Sequence, residues 1–290
     1  MFFLLPFLSA LVMWVIFFSC EKRSVLGVEY RLSDNGNYYI LSDYGGMNFS
    51  KTFEVPEEYN GKPVVEIGED AFFDSIFLNE VVISGNVTSI GDRAFYRCNS
   101  LKSVVIGDNV TTIGDSAFSN CGNLNSIVIG DSVTTIGDSA FSNCGNLNSI
   151  VIGDSVTTIG DKAFYCTTFL RNITVGENNT AYKSIDGSLY TKDEKTLIHC
   201  AIAWYDTHFT VPEGVESIRD SAFDGNYYNL KSVVIPDSVT SIGDSAFSDC
   251  YNLTDIYYTG TESEWAAITV GTNNEELKYA TIHYNYVPEE

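Results

Sequence analysis

The most regular feature of the chain is an apolar pattern that repeats every 23 positions. It is marked by an isoleucine that opens a variant of the string IGDSAF, at Ile67, Ile90, Ile113, Ile136 and Ile159. A fixed period of roughly 20 to 30 residues, with apolar side chains at set offsets, is typical of stacked units that bury their faces only against one another. The pattern therefore predicts a solenoid of short coils.

Within one coil, Leu101, Val104 and Ile106 have the spacing L-x-x-V-x-I, which predicts a short strand. Equivalent strands of neighbouring coils should pair in parallel, about 4.8 Å apart. The glycine and aspartate of the next turn introduce a segment that is either one helical turn or a non-helical turn. Further positions expected to face the core are Val110, Ile113, Ala117, Phe118 and Cys121.

Between the buried strand positions lie two rows that should face outward. The first is β-branched at Val105, Val128, Val151 and Val234, with Thr174 and Tyr257 in the same register; the second consists of Ser103, Ser126, Ser149 and Ser232. Sheet residues are commonly β-branched on either face, so the valines have a purely structural explanation. The functional alternative is a shallow apolar and hydroxyl-rich ligand face that docks an extended protein partner or a glycan.

The repeat is interrupted once and is covered at both ends. After Ile159 the next matching residue is Ile218, 59 positions later, and turn signals such as Asp186-Gly187 predict hairpins in between. Asp34-Asn35-Gly36 predicts an N-terminal hairpin, and Thr261 with Glu264 fits a helix capping box. The expected division is 1–19 signal peptide or membrane anchor, 20–66 N-terminal cap with hairpin, 67–175 regular repeats, 176–217 enlarged repeat or insertion, 218–258 regular repeats and 259–290 C-terminal cap.

The repeated string V-x-x-I-G-D-x-A-F-x-x-C-x-x-L-x-x-V-x-I resembles the BspA-like leucine-rich-repeat family of surface proteins. Tyr59-Asn60-Gly61-Lys62-Pro63 before the repeats and the YYTGTESEW segment around Trp265 resemble the same family. The resemblance implies a right-handed leucine-rich-repeat solenoid with little helix, on the cell surface, acting in adhesion to extracellular matrix or to other cells. It implies no shared catalytic residues and no single binding motif.

The N-terminal segment is expected to direct the chain out of the cell. Residues 2–19 are almost entirely apolar and are followed by Cys20 and the charged Glu21, Lys22 and Arg23. Ser19-Cys20 is similar to the end of a bacterial lipoprotein signal, which makes Cys20 a lipidation candidate. A plain secretory signal, an uncleaved anchor and a wrongly assigned start remain alternatives. Any membrane contact is expected only through this segment.

Composition restricts the partners. The 38 acidic residues against 16 lysines and arginines give a formal net charge of -22, which would repel a phosphate backbone, so nucleic acid is not an expected partner. No cofactor motif is present, and no cofactor is expected. The charge also favours solubility, but it identifies no ligand.

Three ladders, one of cysteines and two of aspartates, each recur at a single offset of the repeat. Cys98, Cys121, Cys144 and Cys250 share one offset, with Cys166 one residue early; disulfides between coils, a metal site and buried free thiols are the alternatives, of which we favour free thiols. Asp92, Asp115, Asp138, Asp161 and Asp244 form one carboxylate row, and Asp108, Asp131 and Asp154 another. Turn capping is the favoured role of these carboxylates and weak calcium binding the alternative, so no metal site is assigned.

Gly-Asp-Ser recurs in the repeats and is similar to a serine-esterase nucleophile motif. A nucleophile needs one base and one acid that converge on it, whereas His199, His208 and His283 all lie outside the regular repeats. The sequence therefore predicts no enzyme, with a serine hydrolase as a remote alternative. The expected function is an exported adhesin or protein-interaction scaffold, and the alternative is a structural surface stalk without a specific ligand.

Overall fold

A computed structural model of the chain describes residues 27–45, 51–83, 85–201, 206–224 and 229–288. The predicted signal and Cys20 lie outside these residues. The described part is a solenoid of coils about 23 residues apart with almost no helix, as the repeat predicts. In these ranges the helices are four residues long, far short of the length of about 20 residues that a membrane span requires.

The N-terminal end begins with the antiparallel hairpin that Asp34-Asn35-Gly36 predicts. Strand β1 pairs with β2, and β2 then pairs in parallel with β5, which places the hairpin at the end of the first sheet. A two-residue strand, β4, folds back antiparallel on β5. The bounds are β1 Glu29–Leu32, β2 Tyr39–Asp43, β3 Thr52–Glu54, β4 Glu58–Tyr59 and β5 Lys62–Ile67.

Each regular coil then contributes one short and one longer strand. The short strands stack in register with isoleucine on isoleucine: β7 Ser89–Ile90, β9 Thr112–Ile113, β11 Thr135–Ile136 and β13 Thr158–Ile159. The longer strands form the opposite side: β6 Glu80–Val82, β8 Ser103–Val105, β10 Ser126–Ile129, β12 Ser149–Ile152 and β14 Asn172–Val175. Because every pairing is parallel and in register, the same residue type stacks on itself along the rod.

The segment after each isoleucine is a turn and not a helix. Its N–H groups donate to the next coil: Ser116 N lies 2.7 Å from Asp138 O, and Phe118 N lies 2.8 Å from Ala140 O. Ser116 has a left-handed φ of 55°, which prevents a continuous helix. The phenylalanine rings of this segment stack between coils, with centroids 5.0 Å apart for Phe95 and Phe118.

A three-stranded antiparallel hairpin unit lies where the repeat register breaks. Its strands are β15 Tyr182–Ile185, β16 Ser188–Thr191 and β17 Thr196–His199. Alternate residues of this unit face two different hydrophobic cores. Leu189 and Ile198 are buried in the core of the first block of coils, whereas Tyr190 and Leu197 are buried in that of the second. The enlarged repeat is thus a plate inside the stack, and its two-sided burial follows from the two-residue period of a strand.

The Arg219 side chain reaches across this hairpin unit and supplies a hydrogen bond that a backbone N–H makes in the regular coils. In regular coils the glycine after the isoleucine donates its N–H to the previous isoleucine carbonyl, as Gly137 N does to Ile113 O at 2.8 Å. Here the guanidinium takes over: Nη1 donates to Ile159 O at 3.1 Å and Nη2 to Asp161 Oδ1 at 2.6 Å. The neighbouring His199 is buried, and desolvation lowers the pKa of its imidazole to about 4, so the ring is neutral at pH 7.

The second block repeats both strand types. Its short strands are β19 Ser217–Ile218, β21 Ser241–Ile242 and β23 Thr269–Val270, and its longer strands are β18 His208–Thr210, β20 Ser232–Ile235, β22 Asp255–Tyr258 and β24 Thr281–His283. Helix α1, Glu262–Trp265, has the expected capping box, and helix α2 spans Glu276–Tyr279. The Trp265 ring packs edge-on against Tyr258 at 5.2 Å. Since β23 and β24 extend both sheets, the C-terminal cap is itself a further coil.

One prediction follows from the in-register stack. Deleting residues 134–156 should leave a shorter rod that still unfolds cooperatively, because Ile113 would then stack on Ile159 with every ladder intact. Circular dichroism during urea unfolding measures this. Deleting residues 134–145 instead removes about half a coil and should abolish the native signal. Equal damage by the two deletions would mean that the coils are not interchangeable.

Candidate functional site

The predicted outward rows are surface rows in the first block. Val105 and Val128 are 57% and 62% exposed, and Val151 is 39% exposed. Thr174, Ser103 and Ser126 are also exposed, and Ser149 is half-buried. Val82, which pairs in register with Val105 and is 41% exposed, extends the valine row by one coil. The same x-V-V spacing, at Glu80-Val81-Val82, could have identified it from the sequence.

The rows change character in the second block. Ser232 is only 7% exposed, so the expectation that it faces solvent is wrong. Its in-register neighbour is His208, whose Nδ1 lies within hydrogen-bonding distance of Ser232 Oγ and covers it, whereas Ser126 has only another serine beside it. Val234 is half-buried, as is Tyr257, whose ring stacks on His283 at 4.6 Å. The continuous exposed face therefore belongs to the first block.

A shallow open groove runs beside the serine row and was not foreseen from the sequence. Its floor consists of side-chain amides from the two identical coils, namely Asn123, Asn125, Asn146 and Asn148. The amides bond along the stack, with Asn148 Nδ2 donating to Asn125 Oδ1 at 2.6 Å and Asn146 Nδ2 to Asn123 Oδ1 at 3.2 Å. The signal was available, since both copies contain asparagine on either side of a buried leucine.

The borders of the groove carry charge and one aromatic ring. Lys102 and Ser103 lie at one end, with Glu80 at the rim, and Arg171 and Phe169 lie at the other. Phe169 is 47% exposed. Asn148 and Arg171 also line an adjoining depression that reaches Asp186 and Asp206. The groove is thus polar, with cations at both ends of an amide floor.

The aspartate row holds coils together through backbone hydrogen bonds. Asp115 N donates to Asp92 Oδ1 at 2.8 Å, and Asp138 N donates to Asp115 Oδ1 at 2.7 Å. At the end of the row, the backbone and hydroxyl of Thr272 donate to Asp244 and lower the pKa of its carboxyl. In the residues that the structure describes, no group of histidine, cysteine and carboxylate side chains could hold a metal ion. Each carboxylate thus accepts from a turn N–H of the next coil, so the row bridges coils; capping of its own turn stays a prediction.

Asp138→Ala should lower the urea midpoint, because the N–H of Asp161 loses its acceptor at 2.7 Å. Asp138→Asn should lose less, since an amide oxygen still accepts and one carboxylate of a like-charged row is removed. Asp108→Ala, at the start of the second row, serves as the control and should change little. Calcium or chelator should not change the urea midpoints of the parent and of these three variants. A midpoint that rises with calcium would instead assign the row to ion binding.

The cysteine ladder is buried and free, as favoured from the sequence. Each thiol donates to a phenylalanine carbonyl of the preceding coil, with Cys121 Sγ 3.1 Å from Phe95 O and Cys144 Sγ 3.1 Å from Phe118 O. Burial raises the pKa of the Cys144 thiol to about 12 and that of Cys121 well above its usual range. These thiols are therefore protonated and inert at neutral pH.

Serine, histidine and aspartate do not converge into a catalytic relay in the described parts of the chain. The serines of the Gly-Asp-Ser triplets at Ser116 and Ser139 lie in the turns, where their N–H groups bond to the next coil. His208 contacts Ser232, whereas Asp255 contacts a different histidine, His283, at 2.8 Å. A relay requires one histidine held by both partners.

Comparison with known proteins agrees with the fold. A leucine-rich repeat protein of T. pallidum has 25% identity and a TM-score of 0.55, over 80% of this chain and 90% of that one. One from Eubacterium ventriosum has 26% identity and a TM-score of 0.62, over 80% and 70% of the two chains. The pneumococcal vaccine antigen PcpA, at 24% identity and a TM-score of 0.59 over 79% and 68%, shares the fold.

Curated proteins give no significant match. The family model for the BspA type leucine rich repeat region matches six copies, over residues 65–192 and 204–282, which is more than two thirds of the chain. This match covers both blocks of coils and the C-terminal coil. The chain belongs to the family of BspA-type leucine-rich-repeat proteins.

Proposed function

We propose that the protein is an exported cell-surface adhesin or interaction scaffold that binds extracellular matrix or a cell-surface protein or glycan through the exposed strand face of its first block. The observation that carries the proposal is the row of Val82, Val105, Val128 and Val151, in which each side chain is at least 39% exposed. A contiguous row of exposed apolar side chains commonly marks an interaction site.

The stacking of the coils gives this face its recognition capacity. In-register strands repeat the same side chains at about 4.8 Å, so that a partner several coils long meets a continuous surface. The buried Ile127, Ile129 and Ile150 hold the exposed valines in place from beneath. Binding would therefore need no conformational change, and the protein would act without catalysis.

The proposal is tested by displaying the full chain on a bacterial host and measuring attachment to immobilised matrix proteins and host-cell surfaces. Val128→Lys with Val151→Lys should reduce attachment at least tenfold, because two charges must then be desolvated in the contact. Ser132→Lys with Ser155→Lys is the matched control, since it adds the same charge to exposed turns of the same coils and should not change attachment.

Three results would count against the proposal. The first is protease resistance: if the chain with its natural N-terminus is not cleaved when intact cells are treated with protease, the protein lies inside the cell. Saturable attachment that both double variants retain equally would mean that the valines are ordinary sheet surface. Self-association without attachment would support the stalk alternative.

A further inference from the structure

The amide groove has unused hydrogen-bonding capacity in a fixed arrangement. A primary amide offers two N–H donors and an oxygen with two lone pairs. In the ladder, Asn148 commits one donor to Asn125 Oδ1, while Asn146 commits its donors to Gly122 O at 2.7 Å and to Asn123 Oδ1. These bonds fix the amide planes, and the four asparagine side chains line an open groove. Closely spaced donors and acceptors of this kind match vicinal hydroxyl groups.

The row that carries the cations has no acidic residue in the first block, although Glu80 lies at the rim beside Lys102. The position after the buried leucine is occupied in successive coils by Asn79, Lys102, Asn125, Asn148 and Arg171, although the whole chain has a net charge of -22. Lys102 and Arg171 are three coils apart, or about 14 Å at the usual strand spacing. Within the described ranges, neither pairs with a carboxylate at salt-bridge distance, whereas Arg93, Lys195 and Arg219 do.

An aromatic ring stands beside the second cation. Phe169 lies in the turn two residues before Arg171 and is 47% exposed, in contrast to the fully buried Phe118 and Phe141. An exposed ring next to amides and a guanidinium presents an apolar face between polar groups, and it suits a ligand with alternating C–H and O–H surfaces. A sugar ring has this character.

We propose that this groove binds an oligosaccharide that carries carboxylate groups. The hydroxyls bond to the asparagine amides, one sugar ring packs on Phe169, and the carboxylates pair with Lys102 and Arg171. The proposal deepens the proposed function, on which it rests, by naming a partner class for the edge of the same face.

Other partners fit the groove less well. A nucleic acid requires many phosphate contacts, whereas the groove has two cations in a strongly acidic chain. A protein interface is anchored by desolvated aromatic and apolar side chains, but this floor consists of amides. A peptide cannot add as a strand between β10, β12 and β14, because these strands already pair with one another.

The test is an array of oligosaccharides bearing uronate or sialate groups, each printed beside its carboxyl-reduced counterpart, and probed with the full chain in mild detergent. The protein should bind members of the acidic set at least tenfold more tightly than their reduced forms. Lys102→Gln and Arg171→Gln should each weaken binding several-fold, and rising salt should weaken it further. Phe169→Ala should weaken binding to acidic and reduced forms alike.

Matched variants separate binding from folding. Lys231→Gln removes the same charge at the equivalent position of the second block, outside the groove, and Phe73→Ala removes a ring that is 39% exposed elsewhere. Both should bind as the parent does, and all variants should melt within a few degrees of it.

The proposal is overturned if no acidic oligosaccharide is retained, if the reduced forms bind equally well, or if Lys102→Gln and Arg171→Gln leave binding unchanged. A nucleic acid or peptide that depends on the groove residues would also overturn it. One outcome would overturn the groove proposal alone. In it the parent chain binds no oligosaccharide, but cells that display the Val128→Lys, Val151→Lys double variant lose the attachment that the parent gives. The adhesin proposal would then stand.

Discussion

Replacing Gly137 by alanine is expected to destabilise the first block of coils by at least ~2 kcal/mol. A Cβ atom at this position would lie 2.5 Å from Asp115 Oδ1 and 2.6 Å from Asp115 N, which real Cβ atoms do not tolerate. The obstruction includes the backbone of the preceding coil, so it cannot be relieved by a side-chain rotation. The two coils must move apart, which weakens the bond from Gly137 N to Ile113 O.

Gly130→Ala is the matched control in the same repeat. A Cβ atom at Gly130 has no neighbour within 4 Å, and neither glycine has a positive φ. The control should therefore be neutral, or more stable by about 0.4 to 1 kcal/mol because alanine restricts the unfolded chain. Urea unfolding followed by circular dichroism measures both variants. Equal midpoints for Gly137→Ala and Gly130→Ala would show that close approach at the glycine does not set the distance between coils.

The period of the coils was predictable because stacking converts sequence spacing directly into contact. Ile90, Ile113 and Ile136 are 23 residues apart, and in the structure they are direct neighbours in one ladder. The hairpins were predictable as well, since Asp186-Gly187 forms a local turn whose left-handed φ values, 48° and 80°, suit these residues. Local turn chemistry and a fixed period require no knowledge of distant partners.

Contacts made across the break in the register were not predictable. Ser232 has the outward position of Ser126, yet it is covered by His208, its in-register neighbour on β18. Arg219 occupies a glycine position, and only the structure shows that its side chain reaches the carbonyl of Ile159. The amide groove was missed for another reason: each asparagine is an ordinary turn residue, and the groove exists only through stacking.

The second large effect concerns the phenylalanine rings that stack between coils and the separation of the two cores. Phe118→Ala removes a ring that is fully buried between Phe95 and Phe141, with centroids 5.0 and 5.5 Å away. The cavity should cost about 3 to 5 kcal/mol. In a stack where each coil contacts only its neighbours, the loss should be local and should fade with distance along the rod.

Native-state hydrogen exchange can resolve this gradient, because each ladder contains reporter amides. Phe118→Ala should speed exchange most at Gly137 N, which bonds to Ile113 O, and should spare Gly243 N, which bonds to Ile218 O beyond the hairpin plate. Phe247→Ala, in the second core, is the mirror control and should reverse the order. If Phe118→Ala speeds exchange equally at both amides, the blocks unfold as one unit, and the plate of β15 to β17 couples the two cores instead of separating them.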